Sequence, residues 1–276
     1  MKVDYHVHTI YSDDSWYLME DVIKDAIEMG LDEICFTDHV DYGVKPDWEN
    51  KHLARQYKGE PVLNVDYPRY FDEFRMLKSK YKDQINLKIG LEFGIQMHTI
   101  SQFQKIYDTY EMDFVLLSIH QVEDQEFWTG DFQKGKTELE SYDRYYDEMY
   151  QVIHNYSDYS CLAHMDLVRR YLVKENDQFE RCKPMIEKIL KKVIADGKGI
   201  EINTSSIRYE VPGLTPSVEI LKLYKALGGT IITIGSDSHN ESHLGFGVEE
   251  AKDILKELGF TSFCTFDKMK PQYHTL

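Results

Sequence analysis

Short runs of apolar residues alternate along this chain with longer segments whose apolar positions recur every three or four residues. The short runs are Lys2–Val7, Glu33–Thr37, Asn86–Glu92, Phe114–Ile119, Ser160–His164, Gly199–Asn203 and Thr230–Gly235. Most are nearly continuous in apolar residues, the pattern of strands covered on both faces. Between them, Leu18, Met19, Val22, Ile23, Ala26, Ile27 and Met29 form a helical stripe closed by Gly30, a residue suited to a left-handed helix end. Thr137 and Glu140 have the spacing of a capping box, opening a helix that carries Leu139, Tyr142, Tyr146, Met149 and Ile153. Another stripe runs through Met185, Ile186, Ile189, Leu190, Val193 and Ile194 to Gly197. Thr215-Pro216 reads as a helix start, continued by Leu221, Tyr224 and Leu227 to Gly228-Gly229. A last helix, from about Val248 to Leu258, leads into a short apolar run at Ser262–Phe266.

Alternation of strand and helix, repeated about seven times, implies parallel pairing through right-handed crossovers. The expected fold is therefore α/β, a closed or distorted barrel. No linker divides the chain, so one domain over residues 1–276 is expected. Residues 40–66, 121–136 and 204–214 are too long for tight turns, and each follows a predicted strand. In a barrel they lie on the C-terminal rim, where barrel enzymes build their sites. Trp48, Tyr57 and Trp128 in the first two suit a lid or a substrate wall.

Composition narrows the partners. Forty-eight acidic against 32 basic residues leave a net charge of −16, which disfavours a nucleic-acid backbone and favours metal cations. A small phosphorylated substrate needs only a few local cations and stays compatible. Cys35, Cys161, Cys182 and Cys264 are scattered with no C-x-x-C pair, and three lie in predicted strands, as expected of buried thiols in a reduced cytoplasmic protein. The N-terminus passes straight into a strand, with no secretory pattern, and no run approaches the roughly eighteen apolar residues of a membrane helix. Neither membrane nor nucleic acid is expected as a partner, and the oligomeric state is left open.

The candidate chemistry stands at the strand ends. His6 and His8 are spaced by one residue, so a strand presents both imidazoles on one face. Asp13 and Asp14, on the loop that follows, can fold back over them. Later strand ends supply Thr37-Asp38-His39, Gly90-Leu91-Glu92, Ser118-Ile119-His120, His164-Met165-Asp166, Glu201-Ile202-Asn203 and Gly235-Ser236-Asp237-Ser238-His239. Six of the eleven histidines thus occupy equivalent places, which a barrel brings to one axis. With Glu92, Asp237 and one early aspartate they make nine candidate ligands, enough for two or three ions and a bridging carboxylate. Imidazole and carboxylate without thiolate suit Zn, Mn or Fe. Such clustered cations generate hydroxide near neutral pH and clamp a phosphoryl group.

His6-x-His8-Thr9, Thr37-Asp38-His39, Gly90-Leu91-Glu92, His120, His164 and Gly235-Ser236-Asp237-Ser238-His239 together resemble the motifs of the polymerase-and-histidinol-phosphatase (PHP) family, from residue 6 to residue 239. The resemblance implies a distorted (β/α)7 barrel with a trinuclear metal centre. It assigns His6, His8, Glu92 and Asp237 to one ion, with Glu92 bridging to a second held by His120 and His164. His39, His239 and a residue after the first strand would hold the third. Many members have histidine where this chain has Asp14, and others use an aspartate at the position of Asp13; Asp14 is preferred. The acidic charge and long insertions resemble the histidinol-phosphatase branch, which implies hydrolysis of L-histidinol phosphate, in histidine biosynthesis, by a metal-bridged hydroxide. Arg208, with Arg169 or Arg170, is the expected phosphate clamp, because a guanidinium fork matches a phosphate dianion. Asp237 is expected to orient or deprotonate the nucleophile, and His239 or His39 to serve as proton source. Asp41 and Asp47 are candidates for the amino-alcohol part of the substrate. Alternative readings are a phosphoesterase acting on nucleotides or other small phosphate esters, with loop aromatics stacking a base, or a metal-binding regulatory domain without turnover.

Overall fold

The computed structural model describes residues 1–172 and 178–276. Seven parallel strands carry the fold: β1 (Val3–Val7), β2 (Glu33–Phe36), β3 (Asn86–Gly94), β4 (Phe114–Ser118), β5 (Cys161–Leu162), β6 (Gly199–Asn203) and β7 (Ile232–Gly235). Their order in the sheet is their order in the chain, with the short segment His39–Val40 adding to β3. The ring closes just beyond the strand ends. His8 N–H donates to the Ser238 carbonyl at 2.8 Å, and Ser238 N–H donates to the His6 carbonyl at 3.1 Å. Fully buried Asp4 reinforces this seam by accepting from the backbone N–H groups of Ser236 (2.9 Å) and Gly245 (2.8 Å). The closed or distorted barrel expected from the strand–helix alternation is observed, as the nearly closed, distorted (β/α)7 barrel that the family resemblance implies.

Among the described residues seven helices surround it: α1 (Met19–Glu28), α2 (Tyr67–Tyr81), α3 (Ile100–Thr109), α4 (Glu138–Asn155), α5 (Phe179–Ala195), α6 (Val218–Ala226) and α7 (Val248–Glu257). Gly30 takes a φ of 70° past the end of α1, and Thr137 and Glu140 cap α4 reciprocally. The helices α2 and α3 were not among the stripes read from the sequence. The buried face of α2 is largely aromatic, Tyr67, Tyr70, Phe71, Phe74, Leu77 and Tyr81, and α3 buries little beyond Phe103 and Ile106. The α6 helix begins three residues after the expected Thr215. Asn203 N–H donates to the Thr215 carbonyl at 2.7 Å, tying that residue to the end of β6. Strand β5 stops at Leu162 because the chain turns at His164, whose φ is 23°.

The terminal apolar run is one arm of a hairpin, β8 (Ser262–Asp267) with β9 (Lys270–Thr275). It covers the end of the barrel where β2, β3 and β4 begin. Phe266 packs on Phe114 with ring centroids 5.0 Å apart, and Lys88 Nζ reaches Asp267 at 2.6 Å. The Tyr5 hydroxyl on β1 donates to Glu33 and accepts from Phe266 N–H at 2.8 Å. With this end sealed, the opposite end is left for the site. Among the described residues no helix is long and apolar enough to cross a membrane.

Tyr5→Phe keeps the ring but strips partners from a buried carboxylate and a buried N–H. It should lower unfolding stability by roughly 1–3 kcal/mol, read as a lower urea midpoint at unchanged slope.

Candidate metal centre

The chemistry of this chain converges on Glu92, a carboxylate with no solvent exposure near the end of β3. One oxygen, Oε2, lies 3.1 Å from His6 Nε2 and 2.9 Å from His39 Nδ1. The other, Oε1, lies 3.1 Å from His120 Nε2 and 2.8 Å from His164 Nε2, and accepts from Ser118 Oγ at 2.6 Å. Burial alone would raise the Glu92 pKa, but His6, His120 and His39 hold it well below the usual carboxylate range.

Asp237 forms a second focus. Its Oδ1 stands 3.3 Å from His8 Nε2 and 3.6 Å from both His6 Nε2 and His239 Nδ1. Its φ of 57° turns the chain out of β7 so that its carboxylate and the following His239 both reach the axis. The third focus is Asp14, whose Oδ2 lies 3.2 Å from His239 Nε2 and 3.6 Å from His39 Nε2. The loop that carries it is folded back by Asp38, which accepts from Thr9 N–H and Ser12 Oγ, both at 2.7 Å. All nine ligand candidates with Asp14 therefore meet at one end of the barrel. Asp13 does not join them, because its Oδ1 is taken by Lys45 Nζ at 2.5 Å.

This donor set fits divalent cations. The ligand atoms of His6, His8 and Asp237 lie within 4.8 Å of one another, as do those of His6, Glu92 and His164 and those of His8, His39 and His239. His8 Nε2 is buried without a hydrogen-bond partner. Burial and the neighbouring His239 and His39 push the His8 pKa well down, so its ring is neutral, the form that ligates. The donors are imidazole nitrogen and carboxylate oxygen, and all four cysteines are free and buried, which matches Zn, Mn or Fe.

A second layer of carboxylates aims the imidazoles. His6 Nδ1 lies 2.5 Å from Glu201 Oε1, and the other Glu201 oxygen accepts from His164 N–H at 3.0 Å. His120 Nδ1 lies 2.8 Å from Asp41 Oδ1. Such partners fix which ring nitrogen faces the metal. Two glycines leave room for them. A Cβ on Gly235 would stand 2.3 Å from His6 Cβ and 2.7 Å from Glu201 Oε1, and one on Gly94 would stand 1.9 Å from Asp41 Oδ1. Glu201 stands at a predicted strand end, but a carboxylate one layer out has no local signature that would assign it a role.

The centre floors a cavity of about 670 Å3 whose walls include Arg55, Glu126, Trp128, Arg170 and Tyr209. The arginines expected to clamp phosphate part company here. Arg170 faces the cavity, donates to Ser205 Oγ at 2.7 Å and stacks 3.9 Å over the Tyr209 ring. Arg169, one step along the same turn, points elsewhere and pairs with Asp166 at 2.8 Å and the Pro212 carbonyl at 2.9 Å. Arg208 donates through Nη2 to the carbonyls of Ser236 (2.8 Å) and Asp237 (2.9 Å), while its Nη1 is buried without a partner. Tyr57 and Trp128 line the cavity and Trp48 does not. Asp41 is engaged by His120 and Lys45, and Asp47 accepts from the Tyr42 hydroxyl at 2.8 Å away from the cavity. Glu126, held by both terminal nitrogens of Arg55 at 2.5 Å, is a wall carboxylate that the sequence reading did not single out.

Glu201→Ala should weaken zinc binding by about 10- to 100-fold through the loss of support for His6 and His164, measured by competition with a coloured chelator.

A solved histidinol phosphate phosphatase from Lactococcus lactis, in complex with zinc, L-histidinol and phosphate, superimposes on this chain with a TM-score of 0.84 at 31% identity over 98% of both chains. In sequence, the histidinol-phosphatase of Lactococcus lactis is 32% identical over 98% of this chain and 96% of its own length. The probable histidinol-phosphatase of Clostridium acetobutylicum is 31% identical over 91% of each. Residues 4–205, from the β1 strand to just past the end of β6, match the PHP domain. The chain belongs to the PHP family.

Proposed function

We propose that this protein is a metal-dependent phosphomonoesterase that hydrolyses L-histidinol phosphate to L-histidinol and phosphate. The observation that carries the reading is a full set of imidazole and carboxylate ligands beneath a small cavity, in a chain alike over 98% of its length to an enzyme solved with zinc, L-histidinol and phosphate.

The nine residues from His6 to His239 would hold the cations, with one Glu92 oxygen beside His6 and His39, the other beside His120 and His164, and Asp14 beside His39 and His239. Bound there, divalent ions lower the pKa of water towards about 7 and withdraw charge from the phosphoryl oxygens. The rest of the work falls to the chain. Arg170, held flat between Ser205 Oγ and the Tyr209 ring, presents a pre-aligned guanidinium to the phosphate. Arg208 does not line the cavity; its Nη2 braces the carbonyls of Ser236 and Asp237 and so supports the turn that carries Asp237. Arg170 spreads the charge that builds on the phosphoryl oxygens during in-line displacement. Asp237 accepts from Ser205 Oγ at 3.1 Å, so one hydroxyl couples the clamp to the carboxylate that orients the attacking water. His239 borders the cavity beside Asp14 as a ligand at the edge of the centre, and the leaving alkoxide takes up the proton that the attacking water gives up. The exposed rings of Tyr57 and Trp128 give the organic part of the substrate an aromatic wall.

Metal-loaded protein should release phosphate from L-histidinol phosphate with a kcat/KM roughly tenfold or more above that for p-nitrophenyl phosphate and nucleoside monophosphates, about 1.4 kcal/mol of discrimination. Equal rates across such a panel would remove the histidinol assignment. Arg170→Ala should lower kcat/KM by roughly 10²- to 10³-fold while leaving the metal content of the purified protein unchanged.

A further inference from the structure

Lys45 lies on the loop after β2, and its side chain is only 8% exposed although it borders the cavity. Two carboxylates hold its ammonium, Asp13 Oδ1 at 2.5 Å and Asp41 Oδ2 at 2.9 Å. Asp41 spends its other oxygen on His120 Nδ1 at 2.8 Å, and His120 Nε2 then lies 3.1 Å from Glu92 Oε1. A continuous line of polar contacts therefore runs from the loop after β1, through Lys45, to the carboxylate at the barrel axis.

The backbone is built around this line. Asn64 accepts from Asp41 N–H at 2.8 Å and donates to the Lys45 carbonyl at 3.0 Å, and Lys45 N–H returns to the Asp41 carbonyl at 2.9 Å. Burial works against the charge on Lys45, but Asp13 and Asp41 more than offset it and hold the ammonium protonated. A buried, paired lysine is costly to assemble and is held in place by its partners. Its position matters because Asp13 and Asp41 both border the cavity, and an Asp41 oxygen lies within 4.8 Å of ligand atoms of His39 and His120. Without a resident cation they would be free to act as ligands.

We propose that Lys45 is a positioning residue of the metal centre. By claiming Asp13 and one oxygen of Asp41, it withdraws both carboxylates from the ligand set. Asp14 is left to face His39 and His239, and the remaining Asp41 oxygen turns His120 so that Nε2 points to Glu92. The inference rests on reading this cluster as a metal site.

Zinc-loaded wild type, Lys45→Met, Lys45→Gln and Lys45→Arg are mixed with a coloured chelator, and metal release is followed alongside total metal content by mass spectrometry. Lys45→Met is expected to release at least one ion per chain about 10- to 100-fold faster than wild type, and Lys45→Arg, which keeps the charge, to recover most of that loss. Lys45→Gln carries the same expectation as Lys45→Met and replaces it if a buried methionine prevents folding. In an Asp13→Ala, Asp41→Ala background, adding Lys45→Gln should accelerate release little further, because the lysine acts through those two carboxylates. Wild-type release kinetics in the neutral variants overturn the proposal, and so does a Lys45→Arg variant as leaky as Lys45→Met. Failure of the wild type itself to hold zinc would instead remove the metal-site reading on which the proposal stands.

Discussion

Glu92 is ionised at the axis of the barrel, with no exposure to solvent and four imidazole nitrogens within 3.1 Å of its oxygens. A carboxylate in such a place carries a desolvation cost of several kcal/mol unless positive charge surrounds it. Much of the architecture answers that requirement. The seam between β1 and β7 brings His6 and His8 beside Asp237, and strands β3, β4 and β5 lead into Glu92, His120 and His164. Protons on His6 and His39 balance the charge in part, since carboxylate neighbours raise both pKa values despite burial. Divalent cations would do so more completely, which is why the ligand set and the fold are one problem.

Accuracy at the axis depends on groups that never touch it. Glu201 and Asp41 stand one layer out and orient His6 and His120, and glycines at 235 and 94 make the space they need. His164 and Asp237 sit at positive φ, which for residues other than glycine costs on the order of 1–3 kcal/mol each. The surrounding hydrogen bonds sustain that strain: Glu201 takes the His164 N–H, and Arg208 braces the carbonyls of Ser236 and Asp237. Strain of this kind is tolerated where it aims a side chain. At the opposite end, the β8–β9 hairpin closes the barrel with Phe266 and the Tyr5–Glu33 contact.

The rim shows where one residue of register decides a role. Arg169 and Arg170 are neighbours on a single 3-10 turn, Leu167–Tyr171, yet one is held by Asp166 and the other borders the cavity beside Tyr209. Asp13 and Asp14 are likewise neighbours, one bound to Lys45 and the other facing His39 and His239. In both pairs the residue types are equivalent, and only the partners brought by distant segments separate them.

The amino-acid sequence by itself determined the seven strands, the barrel they form, and eight of the nine side chains that meet at its end. Those features are local: apolar runs, and imidazoles and carboxylates at strand ends whose directions follow from a two-residue period. It did not reveal α2 or α3, whose buried faces are aromatic or sparse, nor the second arm of the terminal hairpin, which is mostly exposed. The tertiary structure alone decided which nitrogen of each histidine turns inward, which of two aspartates joins the centre, and which arginine borders the cavity. Those outcomes rest on contacts between segments far apart in the chain, such as Lys45 with Asp13 across 32 positions and Glu201 with His6 across 195. Hydrogen-bond geometry at that range has no trace in local pattern, because it exists only once the barrel has closed.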